Sequence, residues 1–287
     1  MRRFLLSLAT GLGLLAAPVS AADTTDDNTE TEACMGCEAL LELAAASPRR
    51  KDDRARDAAR HPVETMAFFG VRPTMKVGEY APGGEWYSRF LGLYLGKQGK
   101  LVGLFFNPTS GPFDAKAQDG IVASAAKYPQ DVAGVTGLPE ASFAAYTLKD
   151  VPETEKGTFD RILIPRMLHN MLRWNIANGE IKAMRDLLKP GGMIGIEQHR
   201  AKPDAPWSYA NGSKGYLREA DVIRLMELNG FVLVRASEIN ANPKDSADWP
   251  EGVWTLPPTY ALKDQDKAKY AAIGESDRMT LLFRKRP

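Results

Sequence analysis

The sequence predicts an α/β domain with a largely parallel, seven-stranded sheet and helices on both of its faces. From residue 62 onward, short apolar runs alternate with amphipathic segments, which is typical of strands joined by crossover helices. A glycine-rich turn follows the first of these runs directly. The last two apolar runs are separated by a long aperiodic loop rather than a regular helix, so we expect them to form a terminal antiparallel hairpin.

The predicted elements follow one another in order along the chain. Strands are predicted at residues 76–80, 101–106, 142–147, 161–165, 193–198, 232–239 and 279–284. Helices are predicted at residues 38–46, 62–69, 85–95, 114–127, 174–188 and 219–228. Residues 189–192 (Lys-Pro-Gly-Gly) end one helix, because proline cannot continue it and glycine supplies a left-handed turn. The aperiodic segment at residues 240–262 predicts an ordered surface loop, and such segments often form lids or binding loops.

The glycine-rich turn lies between the first strand and its helix. This arrangement brings a ligand onto backbone N–H groups at a helix N-terminus. Gly83 and Gly84 let the backbone approach a ligand closely, because neither has a Cβ. Glu79, at the end of the strand, is placed to bind an ammonium group or ribose hydroxyls. A tight turn that binds nothing is the alternative.

The N-terminus differs from the rest of the chain. The 287 residues carry a net charge of +1 and 44% apolar residues, which favours a globular protein and argues against non-specific nucleic-acid binding. Residues 1–21 have a basic start, a short apolar run and a small-residue end, which predicts a secretory signal peptide rather than a retained anchor. We therefore expect a protein of the periplasm or cell envelope, without stable membrane insertion. It would comprise a partly disordered extension at residues 22–60 and a main domain at residues 61–287.

Cys34 and Cys37 are the only two cysteines and form a C-x-x-C pair. A structural disulfide is the leading interpretation in an oxidising compartment, and a redox dithiol or half of a zinc site are the alternatives. Glu38 follows the pair where covalent haem attachment requires histidine, so that function is excluded.

Two of the three histidines follow predicted strands at the same sheet edge as Glu79. His169 follows the fourth strand and His199 ends the fifth. Ligands of open α/β sheets bind at this edge, and histidine suits proton transfer near neutral pH. Each is a candidate general base, and a hydrogen-bonded histidine beside the sheet is the alternative. Because the spacing of a known zinc motif is absent, we predict no metal site from these residues.

Aromatic residues near this edge have two interpretations each, and the charged residues have one. Trp86 and Tyr87 either cover a ligand or pack in the core. Trp249 and Trp254, in the long loop, either cap the cleft or form a packed surface loop. The charged residues at 275–278 are typical of a solvated, salt-bridged turn.

Together these residues resemble the class I S-adenosylmethionine-dependent methyltransferases. The matching motifs are the strand and turn at residues 77–84, Phe159-Asp160 before the fourth strand, and the signature at residues 187–194. The resemblance covers residues 63–284. More narrowly, the chain resembles exported bacterial proteins described as predicted methyltransferases. The short sequence motifs shared with that group lie at residues 79–84, 168–170, 240–245 and 274–280.

The resemblance implies a Rossmann-like fold and transfer of a methyl group from S-adenosylmethionine to a small-molecule acceptor. The cofactor-binding residues would then be Glu79, Ala81, Pro82, Gly83, Gly84 and Asn107, and His169 or His199, the candidate catalytic residues at the same sheet edge, would assist the acceptor. Two departures stand out, because the turn lacks the usual glycines at Ala81 and Glu85, and Asn107 replaces the family's ribose-binding acid. The alternative function is an envelope binding protein that keeps the fold without using the cofactor. The sequence indicates neither the acceptor nor the oligomeric state.

Overall fold

A seven-stranded sheet organises the computed structural model, which describes residues 34–287. The predicted signal peptide at residues 1–21 and the start of the extension at residues 22–33 lie outside the described residues. The strands are β1 (Lys76–Tyr80), β2 (Lys100–Phe105), β3 (Phe143–Thr147), β4 (Phe159–Pro165), β5 (Leu188–His199), β6 (Phe231–Ser237) and β7 (Arg278–Lys285). Their order across the sheet is β3-β2-β1-β4-β5-β7-β6. Strand β7 runs antiparallel to both of its neighbours, and the other pairs are parallel.

The predicted fold class is confirmed, including the antiparallel pairing of the last two strands. Strand β7 lies between β5 and β6 and pairs with both. The prediction of a connection without a regular helix is wrong, because residues Lys267–Ile273 form one. Only Tyr270 of that helix is buried, so no apolar periodicity marks it in the sequence.

Ten α-helices are present within residues 34–287. They are α1 (Cys37–Ala46), α2 (Asp57–Arg60), α3 (Pro62–Phe68), α4 (Trp86–Leu95), α5 (Ala115–Thr136), α6 (Leu168–Arg173), α7 (Ala177–Leu187), α8 (Trp207–Ala210), α9 (Glu219–Leu228) and α10 (Lys267–Ile273). The helix predicted at residues 174–188 starts later, after a break at Asn175, whose φ is +56°. Helix α5 extends beyond its predicted end because Tyr128 and Val132 remain buried on either side of Pro129. None of these helices is both long and apolar enough to cross a membrane.

Helices cover both faces of the sheet because alternate strand residues point to opposite sides. In β4, Ile162 and Ile164 share one apolar core with Ile181 of α7, whereas Leu163 shares the other with Phe90 of α4. All five side chains are at most 2% exposed. With both faces buried, the ends of the strands remain as the places where polar groups can meet a ligand.

Residues 34–60 pack beside the start of α4. Cys34 and Cys37 form the predicted disulfide, with Cα atoms 5.4 Å apart. The backbone carbonyl of Asp53 accepts a hydrogen bond from Trp86 Nε1 at 3.1 Å. The carboxylate of Asp53 accepts two hydrogen bonds from Arg89, at 2.7 and 2.5 Å. This segment therefore helps to position the helix that follows the glycine-rich turn.

Candidate functional site

A cavity of about 320 Å³ lies at the carboxyl ends of β1, β4 and β5. This volume is at the lower end of the range of about 300–1,000 Å³ that is usual for small-molecule sites. The cavity brings together seven of the eight predicted site residues: Glu79, Ala81, Pro82, Gly83, Gly84, His169 and His199. They reach it from separate parts of the chain because the parallel strands end at one edge of the sheet.

Asn107, the eighth predicted site residue, does not line this cavity. Its side-chain oxygen accepts hydrogen bonds from the backbone N–H and the hydroxyl of Thr109, both at 3.0 Å. Its own backbone N–H donates to Glu180 Oε1 at 3.1 Å. The neighbouring Phe106 packs edge-on against Trp174, with ring centroids 5.2 Å apart. The end of β2 is thus occupied by local contacts.

The backbone is strained at two positions that line the cavity. Ala81 has φ +48° and Arg166 has φ +55°, a left-handed conformation that costs a residue with a Cβ about 1–3 kcal/mol. Both follow strand ends directly, and each is fixed by a hydrogen bond from its N–H, to Leu104 O at 2.7 Å and to Glu197 O at 2.6 Å respectively. Such conformations concentrate at functional sites.

The glycine turn presents its backbone to open space. Gly83 adopts φ +54°, and a Cβ added at Gly84 would meet nothing within 4 Å. Helix α4 begins after Glu85 without a side-chain cap, so its first N–H groups are available to a ligand. The predicted geometry of strand, turn and helix is therefore present, although Ala81 and Glu85 stand where glycines are usual.

Glu79 is a buried carboxyl group at the edge of the cavity, with 1% exposure. Ser88 donates a hydrogen bond to Oε2 at 2.5 Å, and within residues 34–287 Oε1 has no hydrogen-bond partner. Burial raises the pKa of Glu79 to about 8, so the group is mostly protonated at neutral pH. A cationic ligand would favour its ionised form.

His169 presents one free ring nitrogen, and the hydrogen bonds around it identify which. The amide nitrogen of Gln198 donates to Gly215 O at 2.8 Å, so Gln198 Oε1 is the atom that faces His169. That oxygen accepts from the backbone N–H of His169 at 3.3 Å and from Nδ1 at 3.4 Å. The proton therefore lies on Nδ1, and Nε2 is the acceptor. Burial lowers the pKa of His169 to about 4, which keeps the ring neutral.

His199 lies beside His169, with ring centroids 5.5 Å apart. Its Nδ1 is 2.6 Å from the hydroxyl of Ser276. Burial lowers the pKa of His199 well below its ordinary value, and the neighbouring His169 contributes a smaller lowering. Both predicted catalytic histidines are thus neutral side chains in one cavity. Within residues 34–287, no group of three or more His, Cys, Asp or Glu side chains is placed to hold a metal ion.

Arginines that the sequence analysis did not select also line the cavity: Arg56, Arg60, Arg89, Arg166 and Arg278. Three of them share two carboxylates. Glu197 is 2.9 Å from Arg166 Nη1 and 2.9 Å from Arg278 Nε, the latter an ion pair without hydrogen-bond geometry. Glu275 is 2.7 Å from Arg278 Nη1 and 3.0 Å from Arg60 Nε.

The prediction of a solvated turn at residues 275–278 is wrong. Arg278 is 1% exposed and Asp277 is 7% exposed. The reason is the position of β7 between β5 and β6, which pairs Arg278 with His199 and carries the preceding residues into the cavity.

Burial disfavours charge in this cluster, but opposite charges offset it. Burial opposes ionisation of Glu197, yet the guanidinium groups of Arg166 and Arg278 hold its pKa below the ordinary value. The pKa of Glu275 is also lowered, because Arg278 and Arg60 outweigh its burial. For Arg60, burial and the nearby Arg166 lower the pKa to about 10, so it is charged at neutral pH. The cluster is therefore fully ionised.

Aromatic side chains form part of the cavity wall. Trp86 and Tyr87 are 4% and 3% exposed, and both also line it, so packing and ligand contact are combined. Tyr87 donates a hydrogen bond from its hydroxyl to Glu197 Oε2 at 2.9 Å. From the long loop, Trp254 lines the cavity, whereas Trp249 packs elsewhere and donates to a carboxylate in that loop.

The comparison with solved structures bears on the fold. No protein-family model matches the chain, and no curated protein matches it. A methyltransferase from Aquifex aeolicus that depends on S-adenosylmethionine matches with a TM-score of 0.50 and 13% identity, over 87% of this chain and 98% of that one. The [4+2]-cyclase SpnF matches with a TM-score of 0.50 and 17% identity, over 88% of this chain and 94% of that one. The 1,6-didemethyltoxoflavin-N1-methyltransferase from Burkholderia thailandensis matches with a TM-score of 0.45 and 12% identity, over 95% of this chain and 94% of that one.

At these identities the similarity defines the fold. The chain has the Rossmann-like fold of class I S-adenosylmethionine-dependent methyltransferases, and the matches with TM-scores of 0.50 carry that conclusion. One of those two proteins is a cyclase, so the same fold supports different reactions. The chemistry of this chain therefore depends on the residues of its own cavity.

Proposed function

We propose that this protein is a methyltransferase that uses S-adenosylmethionine and acts on a small-molecule acceptor. One observation carries the proposal: an open glycine turn, a carboxyl group with a free oxygen and a neutral histidine with a free nitrogen meet in one cavity of a methyltransferase fold. Each of these parts has a task in such a reaction, and the fold places them at the edge where ligands bind.

The residues of the cavity fit this cofactor at the glycine turn. Gly83 and Gly84 would bind it through backbone groups, because no side chain fills the space beside them. The free oxygen of Glu79 would accept hydrogen bonds from an ammonium group. A contact from Asn107 to the ribose, as predicted, would require its side chain to leave Thr109.

S-adenosylmethionine supplies an electrophilic methyl group on a sulfonium, which an oxygen or nitrogen nucleophile can attack directly. The chain then has to orient the nucleophile and accept its proton. His169 is the candidate for this task, because it lines the cavity and its Nε2 is unprotonated at neutral pH. Tyr87 and Trp254 line the same space and would contact a bound substrate.

Calorimetric titration of the purified protein with S-adenosylmethionine tests the proposal. We expect saturable heat and a defined stoichiometry. A binding variant, Gly84→Val, and a matched control, Gly179→Val, separate specific from adventitious heat, because a Cβ at either glycine meets nothing within 4 Å. Absence of heat at high ligand concentration would rule the proposal out.

We also propose that the protein is exported to the periplasm or cell envelope. The basic, apolar and small-residue segments of residues 1–21 support this, and so does the Cys34–Cys37 disulfide, since disulfides persist in oxidising compartments. Mass spectrometry of the protein recovered from an envelope fraction should show that it begins at Ala22 or Asp23. Recovery of a chain that still carries Arg2 and Arg3 would contradict export with cleavage.

A further inference from the structure

We propose that the cavity binds a small anion through the guanidinium groups of Arg56, Arg60 and Arg166. This inference rests on the proposed function. If the protein is a methyltransferase, the anion is the methyl acceptor, and the carboxylate or phosphate of that acceptor is the group that the arginines recognise. The inference concerns the class of ligand and the residues that select it.

The first support is an imbalance of charge. Arg60, Arg166 and Arg278 share only two carboxylates, Glu197 and Glu275, so one positive charge remains. The other titratable groups of the cavity do not compensate for it. Glu79 is mostly protonated at neutral pH, both histidines are neutral, and Arg89 is already paired with Asp53.

Arg56 adds a second positive charge at the mouth of the cavity. It is exposed, and within residues 34–287 its side chain has no hydrogen-bond or ion-pair partner. An exposed arginine alone is unremarkable on a protein surface. Here it lines the same cavity as an uncompensated buried charge, and the two together favour an anionic ligand.

The second support is unused hydrogen-bonding capacity. Arg166 uses only Nη1, which binds Glu197, and its Nε and Nη2 have no partner within the described residues. Arg60 is 4% exposed and uses only Nε, so both of its terminal nitrogens lack a partner there. None of these nitrogens is among the fully buried side-chain atoms that lack a partner, so they remain accessible from the cavity, where a carboxylate or phosphate would bind several of them at once.

The third support is that these groups are held in place. The guanidinium of Arg60 lies 4.8 Å from the ring centroid of Trp86, and that of Arg166 lies 5.6 Å from the ring centroid of Tyr87. Arg166 is also anchored by the strained backbone conformation at the end of β4. A guanidinium that is already ordered loses less side-chain entropy when it binds an oxyanion, and its planar fork matches such a ligand.

Titration calorimetry of the full chain with inorganic phosphate and with malonate tests the proposal, with chloride at matched ionic strength as the reference. We expect saturable binding of at least one probe, and the better probe identifies phosphate or carboxylate as the recognised group. Loss of charged hydrogen bonds in Arg166→Gln should weaken binding about tenfold or more. Arg166→Lys should restore only part of the loss, because it keeps the charge without the fork.

Two further variants make the test robust. Arg56→Gln removes an exposed, unpaired side chain, so it should fold normally and weaken binding several-fold. Arg218→Gln is the control, because Arg218 lies outside the cavity and pairs with Asp221. Unchanged affinity in both Arg56→Gln and Arg166→Gln, or heat that does not saturate, would overturn the proposal. If Arg166→Gln does not fold, Arg56→Gln decides.

Repeating the titration with S-adenosylhomocysteine present distinguishes the acceptor from the cofactor. Probe binding that persists supports a separate anion site. Probe binding that is abolished, together with weaker S-adenosylhomocysteine binding in Arg166→Gln, would assign the arginines to the cofactor's own carboxylate and overturn the inference. Saturable probe binding without any S-adenosylhomocysteine binding would support the anion site while refuting the proposed methyltransferase.

Discussion

Gln198 determines which nitrogen of His169 is free. Its Oε1 accepts hydrogen bonds from the backbone N–H and from Nδ1 of His169, at 3.3 and 3.4 Å. Its Nε2 is held by Gly215 O at 2.8 Å, which prevents the amide from presenting a donor to the ring. Burial lowers the pKa of His169 by more than the hydrogen bond to the uncharged Gln198 raises it, so Gln198 orients the imidazole while the ring stays neutral. The pair explains how a buried histidine can remain an acceptor at neutral pH.

A carboxylate in place of that amide should charge the histidine. In Gln198→Glu the carboxylate would lie beside Nδ1–H and favour the imidazolium, raising the pKa of His169 above about 4 by about 1–3 pH units. Gln198→Met, which removes the amide without adding charge, should leave the pKa low. Proton NMR titration of the histidine ring signals, assigned with His169→Asn, measures the difference. Equal pKa values in Gln198→Glu and the wild type would contradict the role given to Gln198.

The raised pKa of Glu79 should make the free energy of unfolding depend on pH. Its pKa is raised by burial from 4.5 to about 8, so between these values the folded chain holds a proton that the unfolded chain has released. The contribution of this proton to stability is complete below pH 4.5 and is lost as the pH rises towards 8. Glu79→Gln, which cannot ionise, should remove this part of the decline, whereas exposed Glu42→Gln should not.

Denaturant unfolding across this pH range measures the effect on the free energy of unfolding. Parallel pH profiles for the wild type and Glu79→Gln would show that Glu79 does not carry the raised pKa. The same group should couple ligand binding to pH. If its ionised form binds the cofactor's ammonium, affinity should increase as the pH approaches 8 and binding should release a proton.

A substitution in the glycine turn should weaken cofactor binding with little effect on folding. A Cβ at Gly84 meets nothing within 4 Å, so Gly84→Val should change the free energy of unfolding by no more than about 1 kcal/mol. The added side chain would occupy the space beside the turn and should weaken S-adenosylmethionine binding about tenfold or more, since about 1.4 kcal/mol corresponds to tenfold. Gly179→Val, also without neighbours within 4 Å, should leave binding unchanged. Normal binding by Gly84→Val would remove the turn from the cofactor site.

The sequence indicated the strands and the sheet edge well because both depend on local patterns. Apolar runs mark β1 and β4, and the glycine turn marks the start of α4. Seven predicted residues meet in the cavity for the same reason, since parallel strands end at one edge. Asn107 also follows a strand, but Thr109 holds its side chain in a local turn, an interaction that a family-based assignment does not consider.

The arginine cluster was missed because it depends on long-range packing. Arg60 belongs to the segment that the sequence separates from the main domain, and Arg278 lies in a charge run that appears solvated. Only the insertion of β7 beside β5 and the packing of residues 34–60 beside α4 bring these side chains together. Arg166 had a usable signal, because it directly follows β4 at the ligand-binding edge.

The disulfide should be structural and modest in its effect. Cys34 and Cys37 close a loop of sequence separation 3 and do not line the cavity. For so short a loop the chain-entropy model gives about 2 kcal/mol, and Cys37 begins a helix that already packs on α3 and α4. Replacing both cysteines with serine should lower the free energy of unfolding by at most about 2 kcal/mol and leave S-adenosylmethionine affinity unchanged. Denaturant unfolding and calorimetry measure the two quantities, and a large loss of affinity in a folded variant would instead indicate a functional dithiol.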